Sequence, residues 1–182
     1  MDIQPITTTE TLTADRRWLL SLHGSDMNKT VTLDLSKFTT GTHYTAAANG
    51  LPNRLKSGLP NARVLLVSIP DIKRLWQVGK GNLGALTAWS LFGVCQSMLA
   101  NPTSTATADN QRRDRVRQRV IDFNGQLAAA CAAYGANCAF DNNAIFNYPF
   151  VLSQISTWDY FHPNTSGQTV LAGVSYTAGF NW

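Results

Sequence analysis

Hydrophobic positions predict one buried strand and one long helix in the second half of the chain. Residues 64–69 read VLLVSI and end at Pro70, which is typical of a strand buried on both faces of a parallel sheet. From about Asp109 to Tyr134, apolar residues recur at helical spacing, and Gly135 supplies a helix stop. The apolar positions of this predicted helix are Val116, Val120, Phe123, Leu127 and Cys131.

The remaining elements of this half are shorter. Residues 71–84 are predicted to be a long connection, and residues 85–100 a short helix. Cys138–Phe140 is a short strand candidate. A last helix should follow Pro163, capped by Asn164 or Thr165, since apolar residues then recur at near-helical spacing.

The first part of the chain has a different character. Residues 1–45 read as β-strand and loop, with alternating polar and apolar residues at Lys29–Leu35 that predict a half-buried strand. Turn residues fill positions 46–60 and mark the best domain boundary. The predicted organisation is a β-rich segment over 1–58 and an α/β module over 59–182. The module offers only two convincing strands, so the rest of its sheet must come from residues 1–60, from another molecule, or be absent.

Composition bounds the function without naming it. The chain has 182 residues, 44% of them hydrophobic and 14% charged, which is typical of a globular protein. A net charge of +4 is too mild to indicate nucleic-acid binding. We expect no membrane span, no metal site and no cofactor, because apolar runs are short and neither ligand clusters nor glycine-rich phosphate loops occur. Residues 1–10 are polar and do not resemble a signal peptide, so the localisation stays open.

The clustered arginines and the aromatic residues are predicted to have structural roles and not to bind nucleic acid. The arginines between residues 112 and 119 are predicted to form a solvated stripe on the long helix, away from Val116 and Val120. The aromatic residues are predicted to line the core and a cleft, and not to stack on bases. They are Trp76, Trp89, Phe92, Tyr148, Phe150 and Trp158.

Three cysteines leave two alternatives open. Cys131 and Cys138 flank a predicted helix end and turn, which would bring them within disulfide range. The alternative is that all three cysteines are reduced, buried and behave as small hydrophobic residues. Cys95 has no obvious partner in either case.

The main chemical candidate is the stretch TWDYFHPNTSG at residues 157–167, which places Asp159 three residues before His162. Pro163 disfavours helical backbone at His162, so the imidazole should lie on a loop at the mouth of the last helix. A histidine beside a carboxylate is how a general base is built and oriented. The alternative is a surface pair in a helix-entry turn.

A family resemblance favours the first interpretation. The strings that carry it are ARVLLVSIPDIKRLWQVG, FGVCQSMLANPTSTA, RQRVIDFNGQL, FDNNAIFNYPF and TWDYFHPNTSGQTVLA. Together they resemble the C-terminal two-thirds of secreted actinobacterial SGNH (GDSL-type) ester hydrolases, over about residues 58–182. The resemblance implies a three-layer α/β/α fold, an ester or lipid substrate, His162 as catalytic base and Asp159 as its orienting acid. It also implies that a cysteine at position 95 belongs to a disulfide framework.

The family's nucleophile block is missing from this sequence. Those hydrolases carry a Gly-Asp-Ser block after their first strand and oxyanion donors in later blocks, and none of these is present here. Ser25 in HGSD is the only lookalike, with the residues in another order and no buried strand predicted before it. Because nucleophile, base and oxyanion donors act as a unit, the resemblance implies an impaired or inactive esterase.

The first 58 residues carry a second resemblance. DIQPITTTETLTADRRWLLSLHGSD and KTVTLDLSKFTTGTHY are similar to the opening of actinobacteriophage head-decoration-type proteins. That resemblance implies self-association or capsid contact through this segment. The alternative to an esterase is therefore a structural capsid protein that carries a hydrolase-like module. A recombined chain without a selected function is the third alternative, and it predicts poor folding, because half a parallel sheet leaves residues 64–69 with an exposed edge prone to aggregation.

Overall fold

The computed structural model of the protein describes Leu19–Leu20 and residues 61–179. The strand predicted at Lys29–Leu35 and the boundary predicted near residue 58 lie outside these residues. Contacts within the chain define two compact units. The first comprises Met1–Ile69, Asp122–Asn143 and Ala178–Trp182, and the second comprises Pro70–Ile121 and Ala144–Thr177.

The first unit contains a small parallel sheet. Its strands are β1 (Leu19–Leu20), β2 (Val64–Leu66) and β3 (Cys138–Phe140), in the order β1-β2-β3. Leu65 pairs with Leu19 on one side and with Ala139 on the other. All three residues of β2 are buried, which confirms the predicted strand but ends it at Leu66. β2 has a hydrogen-bonded neighbour on each side, and one of them, β1, comes from residues 1–60, which is one of the three sources considered for the rest of the sheet. The exposed edge that the recombined-chain alternative predicts for β2 is therefore not present among the described residues.

The core of this unit forms where the long helix meets the sheet. Helix α4 (Thr107–Tyr134) continues into the unit after residue 121, and the predicted apolar stripe is buried or half-buried along its length. Gly135 ends α4 with a φ of 99°, a left-handed conformation that glycine adopts at little cost. The residues buried together here are Val64, Leu66, Leu127, Ala130, Cys131 and Tyr134.

A short helix replaces the connection predicted over residues 71–84 in the second unit. Helix α1 (Ile72–Gly79) begins after Asp71, whose side chain accepts a hydrogen bond from Lys73 N at 2.9 Å. The prediction was wrong because it passed over two signals. Pro70-Asp71 is a good helix start, and Ile72, Leu75 and Trp76 are spaced as one helix face.

Two further helices occupy residues 83–99, where one helix over residues 85–100 was predicted. Helix α2 (Leu83–Leu91) is capped by Asn82, which accepts from Ala85 N at 3.0 Å, and helix α3 (Gln96–Leu99) follows. Both pack into the core of the second unit. The buried residues of this core are Leu75, Trp76, Ala85, Trp89, Met98, Leu99 and Ile155.

The end of the described chain carries the loop with Asp159 and His162. Helix α5 (Ala144–Asn147) and a 3₁₀ turn (Leu152–Gln154) precede the loop, and helix α6 (Thr165–Gly179) follows it. Asn164 caps α6 by accepting from Gly167 N at 3.0 Å, which confirms one of the two predicted caps. The described fold is mostly helical with a small parallel sheet, and the broad α/β class is thereby confirmed.

Candidate functional site

The candidate site is a closed loop between the 3₁₀ turn and α6. An antiparallel bridge between Ile155 and Pro163 joins the two ends of the loop. Ser156 N donates to His162 O at 2.8 Å, and Tyr160 N donates to Ser156 O at 2.9 Å. Backbone hydrogen bonds within the loop therefore hold residues 155–163 in a fixed shape.

Asp159 receives three polar contacts inside this loop. Its Oδ1 accepts hydrogen bonds from Phe161 N at 2.9 Å and from His162 N at 3.1 Å. Its Oδ2 lies 2.5 Å from His162 Nδ1. The structure thus brings together the two residues that the sequence singled out.

These contacts decide the charge state of the carboxyl group. Burial by itself raises the pKa of Asp159, but the hydrogen bonds from the His162 ring and from the backbone of Phe161 and His162 outweigh it. The net effect is a pKa below the ordinary value of aspartate. Asp159 is therefore a carboxylate at neutral pH and accepts a hydrogen bond from the imidazole.

His162 presents its other nitrogen outward. The side chain is 43% exposed, and the Phe161 ring meets the imidazole edge-on at 5.2 Å between centroids. With Nδ1 directed at a carboxylate, the neutral ring carries its proton on Nδ1 and an unshared pair on Nε2. Within residues 61–179, Nε2 has no hydrogen-bond partner. The arrangement provides an oriented base with an accessible acceptor.

The described residues place no nucleophile beside this base. No hydroxyl group of the described residues lies within hydrogen-bond reach of Nε2. Ser25, the lookalike from the sequence, lies outside the described residues. Among the described residues, the two-residue strand β1 (Leu19–Leu20) precedes Ser25 in the sequence.

Aromatic residues divide between core and surface. Trp76, Trp89 and Phe150 are buried, as predicted. Trp158, next to Asp159, is 85% exposed, and Phe92 at the end of α2 is also exposed. The prediction that these two line the core or a cleft was wrong, because each extends into solvent from a loop or helix end.

The predicted solvated arginine stripe was wrong for Arg113, which is 0% exposed. Its guanidinium donates to Asn101 O at 2.7 Å and to Ser104 O at 3.0 Å, and it lies 4.3 Å from the centroid of the Trp76 ring. Carbonyl oxygens of the loop before α4 bind this side chain, and helical periodicity cannot reveal them. Arg113 therefore has a structural role.

Cysteine pairing follows the first of the two alternatives. Cys131 and Cys138 form a disulfide with their Cα atoms 5.4 Å apart. The bridge joins the end of α4 to the start of β3. Cys95 is free and half-buried, so the pairing that the family resemblance implied for it is not present among the described residues.

A second polar cluster, in the sheet unit, was not foreseen from the sequence. Ser68 Oγ donates to Asp141 Oδ2 at 2.7 Å, and both residues are almost fully buried. They follow β2 and β3, at the carboxyl ends of neighbouring parallel strands. Asn124 binds the backbone of Ile69 in the same unit, accepting from its N at 2.8 Å and donating to its O at 3.1 Å. The sequence signal that could have predicted the contact between Ser68 and Asp141 is that each lies near the carboxyl end of a predicted strand, because the carboxyl ends of parallel strands lie at the same edge of a sheet.

The described part of the chain shows neither a cluster of metal ligands nor a membrane-spanning helix. No group of three or more His, Cys, Asp or Glu side chains is placed there to hold a metal ion. None of the helices in residues 61–179 combines the length and apolar character that crossing a membrane requires. The segment predicted to self-associate or contact a capsid, residues 1–58, lies outside the described residues except for Leu19–Leu20, and that function stays a prediction.

Comparisons with known proteins gave no match: no family model, no curated protein and no solved structure is similar to the chain. The functional argument therefore depends on the geometry of the loop and on the residues themselves.

Proposed function

We propose that His162 and Asp159 are the general base and the orienting acid of a carboxylic-ester hydrolase. The observation that carries this proposal is the 2.5 Å contact from His162 Nδ1 to Asp159 Oδ2, with Nε2 left accessible. A carboxylate on one ring nitrogen fixes the tautomer and makes the other nitrogen a base. The three-layer SGNH fold is part of the same proposal.

Each proton has a defined position in the proposed reaction. Nε2 of His162 takes a proton from a hydroxyl group while the hydroxyl oxygen attacks the ester carbonyl carbon, whose C=O electron pair moves to the oxygen. The tetrahedral intermediate then collapses, and the leaving alkoxide takes the proton from Nε2. Asp159 stabilises the imidazolium between these steps. General base catalysis of this kind contributes roughly 10²- to 10⁴-fold in rate.

Two sources for the attacking hydroxyl are considered. A serine is the nucleophile in the family that the sequence resembles, and Ser25 is the serine that its Gly-Asp-Ser block resembles most in this sequence. Water activated directly by His162 is the other source, and collapse of the resulting tetrahedral intermediate releases the acid and the alcohol. With serine, the acyl group remains on the serine oxygen until water attacks it, giving its proton to Nε2, and the serine oxygen leaves with that proton as the acid is released. With water as the nucleophile, no covalent acyl intermediate forms.

Surface chemistry near the loop favours a neutral, apolar ester. Residues 81–108 contain no charged side chain, and Leu83 and Leu91 of α2 are both exposed. Helix α2 contacts the loop through Trp89, whose Nε1 donates to Tyr160 O at 2.9 Å. The exposed Trp158 adds apolar surface next to Asp159. An acyl chain gains free energy by covering such surface.

Hydrolysis of p-nitrophenyl butyrate by the purified chain tests the proposal. His162→Ala should lower kcat/KM at least about 100-fold, because the base is removed. Free histidine side chains hydrolyse activated esters slowly, so His23→Ala and His43→Ala are matched controls that should leave the rate unchanged. A rate that His162→Ala leaves at the wild-type value would exclude His162 from the reaction.

Ser25→Ala separates the two hydroxyl sources. Loss of turnover, together with loss of an acyl-enzyme adduct in mass spectrometry, would assign the nucleophile to Ser25. Turnover that survives Ser25→Ala but not His162→Ala would assign the attack to water or to another hydroxyl group. Absence of turnover in the wild-type chain over a series of acyl lengths would refute the enzyme proposal.

A further inference from the structure

Tyr160 has an unusual backbone conformation for a bulky residue. Its φ is 52°, in the left-handed region that side chains with a Cβ rarely occupy. This conformation costs free energy and persists only where surrounding contacts impose it. Tyr160 directly follows Asp159, so its backbone conformation sets the positions of Phe161 and His162 relative to the Asp159 carboxylate.

The turn at Tyr160 directs two backbone N–H groups at one oxygen. Phe161 N and His162 N both donate to Asp159 Oδ1, and the His162 ring then reaches Asp159 Oδ2. An extended conformation at Tyr160 would carry Phe161 and His162 away from the carboxylate. The contact between Asp159 and His162 therefore depends on the left-handed conformation of Tyr160.

Helix α2 holds Tyr160 in two ways. Trp89, only 1% exposed, donates from its indole Nε1 to Tyr160 O at 2.9 Å. Gly84 leaves room for the Tyr160 ring, since a Cβ on this glycine would lie 2.5 Å from Tyr160 Oη and 2.9 Å from Cζ. One contact fixes the backbone of Tyr160 and the other fixes its side chain.

We propose that Tyr160, held by Trp89 and Gly84, is the positioning residue that orients Asp159 toward His162. The inference extends the proposed function, because it assigns to α2 the role of keeping the base ready before a substrate arrives. Tyr160 acts through Asp159 and need not touch the substrate. Preorganisation of this kind matters because a displacement on the order of 1 Å lowers turnover about 100-fold.

Trp89→Phe removes the hydrogen bond to Tyr160 O and keeps most of the buried ring. The readout is a pH titration of the amide proton shifts of Phe161 and His162, which follow the ionisation of Asp159. In the wild-type chain both amides should titrate together below the ordinary aspartate pKa of about 3.9. In Trp89→Phe the titration midpoint should move up toward that value, and its amplitude should shrink.

Trp76→Phe is the matched control for loss of a buried indole N–H. Trp76 is also buried, and its Nε1 donates to a backbone carbonyl, Pro102 O, at 2.8 Å. Its replacement should lower stability to a similar extent and leave the two amide titrations unchanged. A change common to both variants would indicate general loosening and would overturn the proposal.

Gly84→Ala tests the contact between Gly84 and the Tyr160 ring. It also replaces Trp89→Phe as the test if that variant does not fold. The added methyl group must displace the Tyr160 ring, so the same upward movement of the Asp159 midpoint is expected. Gly173→Ala in α6 is its control, because a Cβ there has nothing within 4 Å. Unchanged titrations in folded Gly84→Ala and Trp89→Phe would overturn the proposal.

The titration does not depend on ester turnover, so the two proposals fail separately. Shifted titrations in a chain without esterase activity would support Tyr160 as a positioning residue and refute the proposed reaction. Unchanged titrations in a chain whose turnover depends on His162 would refute the positioning role and leave the reaction in place.

Discussion

Asp141 in the first unit and Asp159 in the second are chemically identical side chains with different surroundings. Asp141 is 1% exposed, accepts from the buried Ser68 hydroxyl through Oδ2 and accepts from Asn143 N through Oδ1 at 3.1 Å. Asp159 is partly exposed and contacts a histidine whose second nitrogen reaches solvent. The contact of Asp141 with Ser68 is buried, whereas Asp159 contacts a histidine whose side chain is 43% exposed. The difference separates a structural carboxylate from a candidate functional one.

The largest expected effect on stability belongs to Asp141→Ala. The substitution leaves the buried Ser68 hydroxyl and the Asn143 N–H without their carboxylate, so the free energy of unfolding should fall by about 2–4 kcal/mol. Urea denaturation measures the change, with the same substitution at Asp159 as the comparison. If Asp159→Ala destabilised the chain as much as Asp141→Ala, the distinction between the two aspartates would not stand.

A smaller effect is expected from the ionisation of Asp159. Its folded pKa lies below the unfolded value, so its stabilising contribution is present above about pH 4 and is lost as pH falls through the folded pKa. Wild type should therefore exceed Asp159→Asn in stability at pH 7, and the difference should shrink toward pH 3. A difference that grows on acidification would show that the sign is wrong.

The periodic elements were the predictable part of this fold. Val64–Leu66 and α4 carry long apolar patterns, and the structure has both. Asn164 was foreseen as a cap because its position after Pro163 decides its role locally. The contact between Asp159 and His162 was predictable because the two residues are three positions apart, a separation that a single turn brings into hydrogen-bond range.

The remaining features depend on partners distant in sequence. Arg113 is buried because carbonyl groups of the preceding loop fold over it, which a helical wheel does not include. Tyr160 breaks a local backbone rule, and the contact that imposes its conformation comes from Trp89, 71 residues earlier. Sequence reasoning fails most often where such local rules are broken. The sequence therefore indicated the loop with Asp159 and His162, but not the contact between Trp89 and Tyr160.

The most direct test of the oriented base is the tautomer of His162. Free imidazole favours its proton on Nε2, whereas a carboxylate at Nδ1 holds the proton on Nδ1. ¹⁵N NMR of the imidazole groups at about pH 9, where free histidine is neutral, distinguishes the two forms, and His23 and His43 provide spectra from the same chain. The account predicts the Nδ1–H tautomer for His162 in the wild-type chain and its loss in Asp159→Asn. An Nε2–H tautomer in the wild-type chain would contradict it.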